Sequence, residues 1–274
     1  MPNEPVHFVN GKFVTEKDLA LPVRDLGFTR GFAVFDFFIT YGKKPFMLSR
    51  HIDRLFNSAK LINLATPWTK EEVSNWVLET LNKNEGGEKA IKIIASGGVS
   101  DSLLPSGESN LFILIDPLVQ FPEDCYKKGV GATMLKHARY LPEAKTNNYI
   151  EVVRRAEETR NKGAIEPVYY NDEQVFEGSN SNVFAVIGGK LLTPKSNILA
   201  GVTRGVLLEI LKLDIPVKEK NFSLEEFLSA SEVFFSSSNK EVMPITKIDG
   251  KAVGDGGVGE VTKEVMKQFR EFIS

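Results

Sequence analysis

Short apolar runs closed by tight-turn signals recur along this chain, and that recurrence limits its folds more than any other feature. Val6–Val9 and Lys12–Val14 flank Asn10-Gly11, a pair suited to the positive φ of a two-residue hairpin turn. Phe32 to Tyr41 is a β-branched and aromatic run closed by Gly42-Lys43-Lys44 and resumed at Pro45–Leu48. Ala90–Ser96 and Asn110–Ile115 read as strands around a Gly/Ser-rich loop, Gly97 to Ser109. The second half adds strands at Val130–His137, Val168–Asn171, Gln174–Glu177, Val183–Ile187, Lys190–Thr193, near Val217, and at Glu232–Ser236. Asn171-Asp172, Gly178 and Gly188-Gly189 separate several of them. Strands joined by such short connections pair antiparallel, which predicts largely antiparallel sheets.

Helical spacing fills the intervals. Ser49 is the expected N-cap of a helix carrying Ile52, Leu55, Phe56, Ala59 and Ile62 on one face. Thr69 with Glu72 forms a capping-box pattern ahead of Val73, Trp76, Val77 and Leu81, and Ser223 with Glu226 forms another. Further helices are predicted from about Asn148 to Lys162, from Thr203 to about Lys212, and at the C-terminus with Val258, Val261, Val265, Phe269 and Phe272 together. The class is α+β. The polar, proline-bearing stretch after Asp116 suggests domains at 1–116 and 126–274, joined by a linker at 117–125.

Composition removes several function classes. Lys+Arg number 34 against 36 Asp+Glu, so no basic footprint for nucleic acid or membrane is present. The single Cys125 forms no internal disulfide, and with His7, His51 and His137 it makes no metal-ligand spacing. No apolar stretch is long enough to span a bilayer and the first residues lack a secretory pattern, so a cytoplasmic protein is expected.

Several segments suit an anion. Gly201-Val202-Thr203-Arg204 turns into a helix, where free N–H groups and the helix dipole favour phosphate. Ser236-Ser237-Ser238-Asn239 concentrates hydroxyls after an apolar strand, and Arg54 lies off the apolar face of its helix, free to fork onto phosphate or carboxylate. Each also has a plain structural reading as a turn, a cap or a surface arginine. Arg30, ahead of a strand that looks buried, is a solvated flank or a carboxylate clamp; Glu177-Gly178-Ser179-Asn180-Ser181-Asn182 is a decorated hairpin or part of a site.

Together these pieces resemble the fold-type IV pyridoxal-phosphate enzymes, which include D-amino acid transaminases, branched-chain aminotransferases and aminodeoxychorismate lyases. The resemblance runs from end to end. It is carried by Asp25-x-Gly27 with Val34-Phe35, His51-Ile52-Asp53-Arg54-Leu55, Lys145-Thr146-Asn147-Asn148, the Glu177–Asn182 run with Val183-Phe184, Gly201-Val202-Thr203-Arg204, and Ser237-Ser238-Asn239 through Ile245. It implies a two-domain fold with a smaller N-terminal domain and a larger C-terminal pseudo-barrel domain, the latter carrying the cofactor lysine. It also implies a homodimer with the site at the subunit interface.

The resemblance assigns roles residue by residue. Lys145 matches the lysine that bears pyridoxal 5'-phosphate and shuttles the proton, work that needs an amine uncharged at working pH. Glu177 matches the carboxylate facing the pyridine nitrogen. Arg54, Ser238 and the backbone of Val202 and Thr203 match the phosphate cup, Ser237 lies against the ring face, and Asn182 belongs with the cofactor residues.

The motif pattern is nearest the D-amino acid branch, so the expected reaction is ping-pong exchange of an amino group between a D-amino acid and a 2-oxo acid. That branch traps the substrate carboxylate with an Arg-x-His pair, whereas the loop here, Gly97 to Leu104, holds no cation. Phe35 and Asp36 stand where Tyr and Glu are usual, and Leu26 replaces an Arg. Arg30 is therefore the expected carboxylate clamp with Phe35 beside the substrate; Lys136, His137 and Arg139 are the second choice. A lyase that releases pyruvate and a branched-chain L-amino acid transaminase are the alternatives. The latter branch spaces its lysine and Asn-Tyr one residue further apart than here. A cofactor-binding protein without turnover ranks last, since phosphate binding alone needs neither Lys145 nor Glu177.

Overall fold

At the N-terminal hairpin, β1 (Val6–Val9) and β2 (Lys12–Thr15) pair antiparallel. Asn10 and Gly11 take the turn at φ 47° and 85°, the left-handed pair that matches strand twist. The computed structural model describes residues 4–274. Two units divide the chain, the first ending at Val119 and taking in Ala144–Asn148, the second holding Gln120–Glu143 and Tyr149–Ser274.

In the first unit, α1 (Leu26–Arg30) leads into β3 (Ala33–Tyr41) and β4 (Lys44–Pro45). Then come α2 (Leu48–Leu61), α3 (Lys70–Asn82), β5 (Lys89–Ser96) and β6 (Asn110–Pro117). The sheet order is β2-β1-β6-β5-β3-β4. Alternate residues Val34 and Phe38, Ile91, Ile93 and Ala95, and Leu111, Ile113 and Ile115 bury one face. Ile52, Leu55 and Ala59 of α2 and Val73, Val77 and Leu81 of α3 pack with them, the period-2 and period-3.6 patterns meeting as the spacing requires. The Thr69–Glu72 capping box opens α3. Ser49 is not the cap of α2: Met47, at φ 48°, turns the chain, and its carbonyl accepts from the N–H groups of Arg50 and His51.

The second unit comprises α4 (Glu123–Lys128), β7 (Val130–Lys136), α5 (Ile150–Arg154), α6 (Ala156–Asn161), β8 (Ala164–Tyr170), β9 (Val175–Gly178), β10 (Asn182–Ile187) and β11 (Lys190–Thr193). It continues with α7 (Val202–Ile210), β12 (Val217–Glu219), α8 (Leu224–Leu228), β13 (Glu232–Ser237), β14 (Glu241–Ile248), β15 (Lys251–Ala252) and α9 (Glu260–Ile273). The strand order is β12-β11-β10-β13-β14-β7-β8-β9, with β15 on β14.

Most pairs are antiparallel, but β7 runs parallel to both β8 and β14, and β11 to β12. Val183, Ala185, Val233, Phe235, Met243 and Ile245 belong to one core with Phe222 and Phe227. The alternate residues Phe184 and Phe234 stack at 4.9 Å on the opposite face. Burial of both faces accounts for the unbroken apolar runs of β10 and β13.

Several expectations are corrected here. The helix expected over 148–162 is broken into α5 and α6 at Arg155, whose N–H bonds to Val152 instead of continuing the α-helical ladder. The terminal helix begins at Glu260, after Val258, where the Glu232 carboxylate accepts from the N–H groups of Val261 and Thr262.

The domain reading changes most. The first unit ends at Val119, inside the expected linker, and α4 begins there as well. Ala144–Asn148, Lys145 included, belongs to the first unit and not to the C-terminal one. The Phe35 N–H donates to the Lys145 carbonyl at 2.9 Å, and the Asn147 N–H to that of Ala33 at 3.2 Å. Satisfying the free edge of β3 is what draws this distant segment in.

Candidate active site

In the first unit the side chains of β3 alternate, so Asp36 points with Val34 and Phe38 toward α2 and is fully buried. His51 and Arg54 lie one helical turn apart and meet it together. His51 Nδ1 is 2.7 Å from Asp36 Oδ1; Arg54 donates from Nε to Oδ2 at 2.8 Å and from its terminal nitrogen to Oδ1 at 2.9 Å. Burial works against the Asp36 charge, but Arg54 and His51 outweigh it and hold the carboxyl well below the usual carboxylate range. Burial keeps His51 below its ordinary value against the pull of Asp36, with Arg54 and Lys145 adding to the depression. Arg54 thus forks onto a carboxylate of the sheet, one of the two anions expected for it from its place off the apolar face.

Lys145 sits across from the same strand. Its N–H donates to Ser58 Oγ of α2 at 3.1 Å, and its Nζ lies 4.6 Å from the centroid of the Phe35 ring. Lys92 of β5 approaches that ring too, at 5.1 Å. The sequence reading missed Lys92; the alternation of β5, which places it opposite Phe37, was the available signal. Arg30 ends α1 exposed and donates to the Thr29 carbonyl at 2.8 Å. Asp25 of the Asp25-x-Gly27 motif is the N-cap of that helix and accepts from Ser96 Oγ.

In the second unit Glu177 lies in β9, one residue before its end, and is buried. Its Oε2 accepts from the Leu199 N–H at 2.9 Å and from Asn182 Nδ2 at 3.2 Å, while Arg139 pairs with Oε1 at 2.8 Å. These partners are all donors, as an anionic carboxylate requires. Arg139 and Glu177 line a cavity of about 280 Å³ with Tyr140, Tyr169, Phe176 and Asn197. Burial pushes the Tyr169 phenol upward. Of the other cations considered, Lys136 is bound to Asp172 on the surface, and His137 meets Tyr169 edge-on.

Gly201 opens α7 with no side chain capping the first N–H groups, those of buried Val202 and Thr203. A Cβ on Gly201 would run into Asn182 Oδ1, so the turn approaches Asn182 as only glycine allows. Asn182 also donates to the Leu199 carbonyl at 2.9 Å and thereby joins the Glu177 carboxylate to the segment entering α7. Arg204, buried, is bound to Thr193, Pro194 and Glu219 and serves to fasten that helix. Ser237 ends β13 and Ser238 opens the turn to β14, both half-buried, and Ser237 Oγ is 3.2 Å from Asn239 Oδ1.

The donor set fits pyridoxal phosphate. A carboxylate among donors suits a protonated ring nitrogen, an uncapped helix start suits a phosphate, and the half-buried Lys145 suits a carbonyl partner. Among the described residues no helix is long and apolar enough to cross a membrane.

Comparison with known proteins agrees. Residues 33–248 match the family described as amino-transferase class IV. A D-alanine aminotransferase of Staphylococcus haemolyticus is 33% identical, with 97% of each chain covered. A branched-chain aminotransferase from Thermoproteus uzoniensis, solved with norvaline, superposes with a TM-score of 0.90 at 30% identity over 99% of this chain and 95% of that one. A T.th. branched-chain amino acid aminotransferase, solved with pyridoxamine 5'-phosphate, gives 0.90 at 25% identity, covering 100% and 95%. The two sheets of this chain are those of the fold-type IV enzymes, and the chain belongs to the class IV aminotransferases.

Proposed function

We propose that this aminotransferase moves an amino group between a D-amino acid and a 2-oxo acid in a ping-pong cycle, using pyridoxal 5'-phosphate. The observation that carries the reading is Lys145, pinned through its backbone to β3 and Ser58 so that its amine rests against Phe35. Bound pyridoxal phosphate supplies a carbonyl that takes up the amino group and a conjugated ring that accepts the electrons left by the α-proton. Lys145 Nζ takes that proton and returns it. Glu177, oriented by Leu199, Asn182 and Arg139, holds a proton on the ring nitrogen. Val202 and Thr203 N–H groups, Ser238 and Arg54 bind phosphate, with Arg54 oriented by Asp36; Ser237 and Asn182 complete the cofactor contacts.

Arg30 meets the substrate carboxylate, its exposure suiting a cation that engages only when substrate or a second subunit arrives. Exposed Val23, Phe28, Leu103 and Leu104 of the first unit supply apolar surface for a homodimer. The lone cysteine agrees with a reducing, cytoplasmic setting.

The D-series assignment is supported by the Staphylococcus relative and by the His51–Leu55 motif. A second reading, a branched-chain L-amino acid aminotransferase, is favoured by the Thermoproteus neighbour and by the apolar Phe35 beside Lys145. Purified enzyme mixed with single D- and L-amino acids, without acceptor, separates the two: the absorbance of the lysine-bound cofactor gives way to that of the amine form only with a substrate. Conversion by D-alanine and not by L-leucine supports the first reading, and the reverse supports the second. Pyruvate release without an acceptor would mark a lyase instead.

A further inference from the structure

Lys240 and Glu166 form a buried ion pair that none of the roles above uses. Lys240 is 5% exposed and Glu166 2%. Lys240 Nζ lies 3.7 Å from Glu166 Oε2 and 3.2 Å from Ser181 Oγ. Glu166 Oε2 accepts from the Asn180 N–H at 2.9 Å and from Ser179 Oγ at 3.3 Å. Its other oxygen, Oε1, is buried without a hydrogen-bond partner, and a Cβ at Gly178 would stand 2.8 Å from it.

The members of this cluster come from separate elements. Glu166 is on β8, Ser179 to Ser181 form the turn that follows β9, and Lys240 closes the turn that Ser238 opens after Ser237 at the end of β13. Taking two charges out of water is costly, so a pair like this is weak evidence for stability and better evidence for a fixed geometry. The geometry fixed here is the distance between the turn that follows the Glu177-bearing strand and the turn that holds Ser238.

We propose that Lys240, through Glu166 and Ser181, positions these two turns and so sets the spacing between the groups that grip opposite ends of pyridoxal phosphate. The inference rests on the cofactor roles proposed above for Glu177, Ser237 and Ser238. A ligand gripped at both ends feels the spacing; a ligand gripped at one end does not.

Cofactor-stripped full-length enzyme, wild type and Lys240→Met, is titrated with pyridoxal phosphate and, by competition, with inorganic phosphate. Lys240→Met is expected to weaken pyridoxal phosphate on the order of 10- to 100-fold, as removal of outer-shell partners does elsewhere, and to leave phosphate unchanged. Lys240→Arg, which keeps the charge, is expected to bind pyridoxal phosphate more tightly than Lys240→Met. Should Lys240→Met not fold, the Glu166→Gln/Lys240→Gln double variant, with no unpaired charge, is read on the same two ligands. Unchanged pyridoxal phosphate affinity, or equal loss for both ligands, overturns the positioning role. Wild-type enzyme that fails to bind pyridoxal phosphate overturns the proposed function instead, and this inference with it.

Discussion

Replacing Asp36 by Asn gives the sharpest test of the first unit's electrostatics. Asp36 is fully buried, and its two oxygens take the Arg54 Nε at 2.8 Å, the Arg54 terminal nitrogen at 2.9 Å and His51 Nδ1 at 2.7 Å. Asn keeps the shape but removes the charge and one acceptor, leaving a guanidinium that is only 10% exposed. Breaking a buried pair on one side costs roughly 3–5 kcal/mol, because the remaining charge stays desolvated. At about 2–4 °C per kcal/mol the melting temperature should fall on the order of 10 °C.

The pH dependence carries a sign. A carboxyl held below its unfolded value adds stability above that value, and loses it as pH falls toward the folded one. Wild type should therefore lose stability steadily from about pH 5 downward, and Asp36→Asn should lose less over the same range. Urea unfolding of both proteins, followed by Trp68 and Trp76 of the first unit, reads this directly. A loss under about 1 kcal/mol at pH 7, or identical slopes between pH 5 and 3, would refute the reasoning.

Further outcomes follow from the same geometry. Lys145→Ala should lower amino transfer by about 10²–10⁴-fold while the protein still folds, the range that general acid–base work of this kind contributes; single-turnover kinetics with purified variant checks it. Glu177→Gln should lower kcat on the order of 10²-fold and leave Arg139 without its counter-ion, visible as a changed pH profile of the cofactor absorbance. Gly201→Ala should displace Asn182 and weaken cofactor binding, measured by titration, because its Cβ has no room beside Oδ1. Arg30→Leu should raise KM for the amino acid with a smaller effect on kcat; an unchanged KM for every accepted substrate sinks the clamp.

The elements whose order depends on neighbours in sequence were legible from the chain. Asn10-Gly11, the Thr69–Glu72 and Ser223–Glu226 boxes, and the alternation of β3 and β5 all take the form that local stereochemistry predicts. Where the structure departs, the cause is either a backbone turn that residue type does not announce or a partner far along the chain. Met47 replaces Ser49 at the start of α2 through a left-handed turn, and Glu232 sets the start of α9 from another strand.

Residue types are local properties, and they sufficed to mark the anion-type turns; Lys145 and the role of Glu177 came forward only through the resemblance to the fold-type IV enzymes. The energetics of those residues are not local. Arg54 is bound by a carboxylate 18 residues earlier in the chain, and Glu177 draws its donors from Arg139, Asn182 and Leu199. Lys240 finds Glu166 from 74 residues away, as their numbering shows. Chain spacing sets which face of a helix or strand a side chain occupies. Only closure of the sheets decides which charges meet out of reach of water, and it is that desolvated meeting that turns a surface-type arginine or lysine into a fixed part of the fold.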